Sequence, residues 1–187
     1  MTILELPAEV EGVFQSFLAC EFTTLGKSGV PIAWPTLPTY WPERGQFVIA
    51  SPIALSQKAA NVCRDPRVSL LFSSPIGSGL ADPPAVLVQG EEYSPDRVVV
   101  ATAGMEPTPV ARLGEQGRRL MRKQPGLRLY LANPLTRYLM EWYFLRILIF
   151  VTPRRVTWWQ HGDFARPSNC VEVANVGQDR PVPTPIS

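Results

Sequence analysis

A chain of 187 residues with 45 % apolar side chains can bury one core, or one core with an elaboration. Its 18 basic and 16 acidic residues leave a net charge of +2, without the dense basic stripe of a nucleic-acid binder. Three scattered cysteines, Cys20, Cys63 and Cys170, and a single histidine, His161, form neither a CxxC pair nor a zinc set. This argues against a disulfide framework or structural metal and for a reducing, cytoplasmic setting.

Residues Met1–Glu11 lack the basic-then-apolar order of a signal peptide. Val10, Val13, Phe14 and Phe17 fall at helical spacing, which predicts a helix over 7–18. "CEFTTLGKSGVPIAWPTLPTYW" reads as two strands around a Gly26-Lys27-Ser28-Gly29 hairpin turn. After a turn at "ERG", Gln46–Ser51 forms a third strand. Ser56 is placed to cap a short helix over 57–64, which Asp65-Pro66 ends. Arg67–Ser73 and Ala85–Tyr93 give a fourth and a fifth strand. Strands joined by short turns, with a single helix among them, indicate an antiparallel sheet or barrel.

From Pro95 the pattern turns helical for about 50 residues, an insertion spanning about 95–142. The apolar run Tyr138–Val151 is shorter than the roughly 20 residues a bilayer span needs and carries Glu141 and Arg146. Core or interface burial is expected there, and no membrane partner. "RILIFVTPRRVTWW" reads as two strands joined at Thr152-Pro153-Arg154. A domain over 1–162 is then followed by a proline-rich tail over 163–187, expected to be extended or mobile.

Lys58 is the element that calls for chemistry. It is the second residue of the 57–64 helix, where unpaired N–H groups and the helix dipole already supply positive charge. A lysine there costs energy unless it points to water or shares the site with an anion, and a phosphate would serve. Both readings stand on these residues alone.

The order of elements weighs toward the anion. The strand, "GKSGVP" turn, Trp34-Pro35-Thr36 strand, "SQKAAN" helix, "RDPRVSLL" strand and "VLVQG" strand together resemble the pyridoxamine 5'-phosphate oxidase-like, FMN-binding split-barrel superfamily. The resemblance covers roughly residues 8–93 and, more loosely, the last strands to Trp159. It implies a mainly β fold, a six-stranded antiparallel Greek-key split barrel with added helices and a helical insertion before the last strands. It also implies a homodimer with the cofactor at the interface.

By the same resemblance, Ser56, Gln57 and Lys58 lie at the cofactor phosphate, with Asn61 one turn on. Ala50 and Ser51 lie against the ribityl chain or phosphate, and Trp34, Pro35, Thr36 and Leu37 run along the isoalloxazine ring. Trp158 is a further candidate for a ring contact, and Trp158 and Trp159 must face opposite sides of a strand.

Gln57 stands where the true oxidases carry arginine, Ala85 where they carry glutamine, and their C-terminal arginine and histidine have no counterpart. These departures point away from vitamin B6 oxidation. The expected function is a flavin-type oxidoreductase that moves a hydride to or from a small organic substrate. FMN is the first cofactor and the deazaflavin coenzyme (factor 420) the alternative. Because the cofactor supplies the hydride chemistry, the lack of a nucleophile–base pair is expected. A non-catalytic carrier of flavin, deazaflavin or haem and a cofactor-free interaction module are the competing readings.

For haem, His161 would be the ligand, though a solvated histidine is the default. The cluster Arg118, Arg119, Arg122 and Lys123 is read first as a solvated helix face, and Cys63 as a buried small apolar residue.

Overall fold

The computed structural model describes residues 6–52, 57–93, 98–100 and 145–173. Alternation builds the strands. In β1 (Cys20–Leu25), Cys20, Phe22 and Thr24 turn inward, and in β5 (Arg67–Phe72), Val68, Leu70 and Phe72 do. β2 (Pro31–Thr36) follows β1 through a turn in which Gly29 takes a positive φ of 77°. β3 (Pro38–Trp41) leads through a short 3-10 turn to β4 (Gln46–Pro52), whose Phe47, Ile49 and Ser51 are buried. β6 (Ala85–Tyr93), β7 (Val98–Val100), β8 (Leu145–Trp159) and β9 (Asn169–Glu172) complete the series.

All nine strands belong to one antiparallel sheet, along the path β2-β1-β5-β6-β8-β4-β3. The two ends of that path, β2 and β3, are consecutive in the chain and separated only by Leu37. The sheet therefore curls until its ends meet at one residue, a barrel split between β2 and β3. β8 organises the wall. One of its edges pairs with β7 and then β6, the other with β4 and then β9.

α1 (Ala8–Ser16) sets Val10, Val13 and Phe14 into the core, with Phe17 just beyond it. The Phe14 ring meets Phe47 at 4.8 Å, Tyr40 at 5.1 Å and Phe72 at 5.3 Å. Each such side chain contributes about 1.5–3 kcal/mol on burial. That packing, not intrinsic propensity, holds so short a helix. α2 (Gln57–Arg64) adds Ala59 and Val62 to the same core.

Several expectations change. The stretch Cys20–Trp41 holds three strands, because the chain leaves one end of the sheet at Leu37 and joins the other. The segment Thr152-Pro153-Arg154 is not a turn but a β-bulge inside the single strand β8. Gln89 pairs with Arg155 and Gly90 with Pro153, leaving Arg154 as the extra residue. Counted along the chain, seven strands were expected; the extra strand before Trp41, β7 and β9 add three and the merging of the last two into β8 removes one, which makes nine. Part of the segment read as tail, Asn169–Glu172, pairs with β8. Finally, Cys63 is exposed, since α2 buries Lys58, Ala59, Asn61 and Val62 and Cys63 lies off that stripe.

The insertion over 95–142, including Arg118, Arg119, Arg122 and Lys123, lies outside the described residues except for Val98–Val100, where pairing with β8 makes a strand of a stretch expected to be helical. Ser56 lies outside them too. Among the described residues no helix is long and apolar enough to cross a membrane.

Candidate functional site

α2 is stitched to the inner face of the β1–β2 ribbon by polar side chains. Lys58 is 8 % exposed, and its Nζ donates to Thr36 Oγ1 at 3.2 Å. The same ammonium lies 5.6 Å from the centroid of the Trp34 ring, within reach of a cation–π attraction. The Thr36 hydroxyl in turn donates to the Trp34 carbonyl at 3.3 Å. One turn along, Asn61 Nδ2 donates to Thr24 Oγ1 at 3.0 Å. Arg64 Nη2 donates to the Leu25 carbonyl at 2.6 Å and to Asn61 Oδ1 at 3.3 Å.

Among the described residues no carboxylate pairs with Lys58. Burial lowers its pKa from the ordinary 10.5, and the neighbouring Cys20 opposes that shift. Burial in turn pushes the Cys20 thiol well above its usual range, with Glu21 adding to the rise and Lys58 opposing it. An ammonium has three N–H donors, and Thr36 takes one. A buried cation without a counter-charge is costly, so this position favours an anion.

Among the described residues nothing pairs with the outer edge of β2, and this free edge has its own pattern. The Gly26 N–H donates to the Val30 carbonyl at 2.8 Å, which makes that pair hydrogen-bonded. Hydrogen-bonded and non-hydrogen-bonded pairs alternate along an antiparallel ladder. The pairs Leu25–Pro31, Thr23–Ala33 and Glu21–Pro35 are then the non-hydrogen-bonded ones. The backbone groups of Pro31, Ala33 and Pro35 therefore point away from β1. Prolines carry no N–H. From 31 to 35 that edge offers three carbonyls but a single donor, the Ala33 N–H. The prolines stop another strand from pairing there, while one flat molecule with a mixed donor and acceptor edge could still bind.

The structure thus brings Trp34, Thr36, Lys58 and Asn61 together. Pro35 is exposed on the neighbouring edge, and Leu37, at the seam, is 41 % exposed. Gln57 is exposed at the start of α2. Ala50 and Ser51 close β4 opposite Leu148 and Ile147, with Ser51 turned inward and 1 % exposed. Residues 53–56, between β4 and α2, lie outside the described set.

Trp158 is not in this group. Its register opposite Val86 turns it into the core, at 7 % exposure. The outward-facing ring is Trp159, which packs on Phe164 at 5.1 Å. His161 is exposed and contacts Asp82. Among the described residues there is no cluster of three or more potential metal ligands.

Thr24, Ala33 and Arg64 were missed from sequence. A signal for Thr24 exists, because it continues the inward row of Cys20 and Phe22 and a threonine there needs a partner. The paired prolines at 31 and 35 flag Ala33.

No protein-family profile matches the chain, and no curated protein matches it. Solved structures do. A conserved hypothetical protein from Mycobacterium tuberculosis matches at 23 % identity over 92 % of this chain and 95 % of that one, with a TM-score of 0.51. An F420 reductase matches at 18 % identity over 81 % and 98 %, with a TM-score of 0.52. A Clostridium acetobutylicum protein related to general stress protein 26, of the pyridoxinephosphate oxidase family, matches at 10 % identity over 88 % and 92 %, with a TM-score of 0.51. The chain spans only 60 % of the length of a haem binding protein from Mycobacterium smegmatis that it also matches.

The chain has the split-barrel fold of the pyridoxamine phosphate oxidase-like proteins. Within that fold, the contact of α2 with β1 and β2 brings together four buried polar residues of the described set, Thr24, Thr36, Lys58 and Asn61.

Proposed function

We propose that this split barrel binds a phosphate-bearing flavin-type cofactor between α2 and the free edge of β2 and serves as an oxidoreductase for a small organic substrate. The observation that carries the reading is Lys58, a buried ammonium with no carboxylate partner among the described residues, beside the Trp34 ring. FMN is the first candidate. The likeness in fold to an F420 reductase supports the deazaflavin coenzyme as the alternative.

The residues present fit either molecule. Lys58 would hold the phosphate, with Gln57 exposed next to it. The Ala33 N–H and the carbonyls of Pro31, Ala33 and Pro35 would line the edge of the ring. Bound there, the cofactor would supply the hydride chemistry. The protein's share is to fix the ring against β2 and to keep water from the phosphate site through the Asn61–Thr24 and Arg64–Leu25 contacts. The half-exposed face of β2 leaves room for a second copy of the chain, in keeping with a homodimer that completes the site.

The test is direct. Purified protein is examined by absorbance and then titrated with FMN and with the deazaflavin coenzyme, with thermal stability as the readout. The expected result is stabilisation by one of them, lost in Lys58→Met. Colourless protein that neither molecule stabilises would overturn the reading. Measurement of its mass in solution tests the dimer. Reduction of a test acceptor by the loaded protein separates an enzyme from a carrier.

A further inference from the structure

Glu92 is a carboxylate on the apolar side of the barrel wall. Along β6 and β8 the register pairs Val86 with Trp158, Val88 with Val156, Gly90 with Pro153 and Glu92 with Val151. Opposite residues in an antiparallel pair share a face. Val86, Val88, Trp158, Val156 and Val151 all belong to the core, so Glu92 faces inward with them. It is 8 % exposed, and among the described residues neither carboxyl oxygen has a hydrogen-bond partner. An unpaired buried carboxylate is too costly to persist, and such a group keeps its proton instead. Burial raises the Glu92 pKa to about 9.

The charged groups of the neighbouring elements are engaged elsewhere. On β6, Glu91 faces outward and pairs with Arg154 of β8 at 2.9 Å. Arg155 of β8 is exposed and reaches Cys170. At the corner between α2 and β5, Asp65 and Arg67 pair with each other at 2.7 Å. On α2, Lys58 is bonded to Thr36, and Arg64 to the Leu25 carbonyl and Asn61. Among the described residues none remains to hold an ionised Glu92 in place. Its backbone, however, is anchored at that corner, for the Glu92 N–H donates to the Pro66 carbonyl at 2.8 Å. Pro66 lies just past the end of α2 at Arg64.

We propose that Glu92 is a proton-operated latch between β6 and the α2–β5 corner. As a neutral acid it stays in the core and the corner is closed. When its proton passes to solvent, the carboxylate swings out to water, the Glu92–Pro66 hydrogen bond breaks, and the C-terminal end of the helix carrying Lys58 loosens. The latch works whatever the site at Lys58 binds.

Hydrogen exchange on the full chain tests it, with rates corrected for the pH dependence of the exchange chemistry itself. Between the ordinary carboxyl pKa of 4.5 and about 9, each opening releases one proton. The opening equilibrium then rises about tenfold per pH unit. The expected result is protection of the Glu92 amide, and of the last turn of α2, that falls about tenfold per unit from roughly pH 5.5 to 8. In Glu92→Gln, which cannot ionise, protection should stay constant over that range. Glu92→Met provides a second non-ionising variant should the glutamine fail to fold. Constant protection in the unmodified protein, or an equal fall in either variant, would overturn the proposal.

Discussion

Lys58 and Thr36 share a buried hydrogen bond, 3.2 Å from Nζ to Oγ1, that ties the first turn of α2 to the last residue of β2. The hydroxyl satisfies one donor, and among the described residues no carboxylate offsets the charge. Lys58→Met keeps the stem and removes the charge. It is expected to weaken binding of a phosphate-bearing cofactor by about 2 kcal/mol, roughly thirtyfold, as measured by calorimetric titration. Without any anion the variant should be no less stable than the original.

The pH dependence of that site has a definite sign. Burial lowers the Lys58 pKa below 10.5, so in the window beneath that value the unfolded chain holds a proton that the folded one has lost. In the cofactor-free protein, the Lys58 contribution to stability therefore rises with pH through that window. Phosphate affinity moves the other way and falls as Lys58 loses its charge. A binding isotherm that is flat across the alkaline range would place the phosphate elsewhere.

The Ala33 N–H offers a cleaner substitution than most. It points off the free edge of β2, as the backbone of Pro31 and Pro35 does, so Ala33→Pro removes a donor the sheet does not use. The melting temperature should move by only a few degrees, while cofactor affinity should fall about tenfold, the worth of one hydrogen bond. A variant that binds as tightly as the original would show that the ring edge does not rest on β2.

Asn61 and Thr24 form the structural half of the site. Thr24 is fully buried, and Asn61 Nδ2 is the donor at 3.0 Å from its hydroxyl. Asn61→Ala leaves that hydroxyl without this donor and also takes a partner from Arg64, for an expected loss of about 1–3 kcal/mol by urea unfolding. Thr24→Val in the same background should recover part of the loss, because removing both partners costs less than orphaning one.

How much of this could be read from sequence depends on the range of the interaction that decides each feature. α2 and β6 have the bounds expected for them, since prolines and local patterning define both. Lys58 and Asn61 were legible together because both belong to the "SQKAAN" motif that carries the resemblance, about one helical turn apart. Their partners Thr36 and Thr24 belong to strands met much earlier in the chain, and only the β1–β2 register puts them opposite α2. Leu37 looks like any strand residue, and its place at the seam follows from sheet closure alone. Trp158 and Trp159 were known to face opposite ways. Which of them faces inward depends on the phase of β8, and the bulge at Arg154 resets that phase.

That bulge makes the last prediction. On one side of it Val156 and Trp158 face the core, and on the other Val151 and Ile149 do, a change from even to odd positions that a regular strand cannot make. The reset is possible because Gly90 lies opposite, where a Cβ would run into the Thr152 carbonyl and crowd Pro153. The neighbour is backbone and cannot swing aside. Gly90→Ala should therefore cost more than about 2 kcal/mol, well beyond a surface glycine substitution. Gly12, whose added Cβ meets nothing within 4 Å, is the control, and Gly12→Ala should be neutral or slightly stabilising because it lies within α1. Urea unfolding of the two variants measures the difference. Equal stability for both would mean that the β6–β8 bulge relaxes, and Trp158 would then be free to change faces.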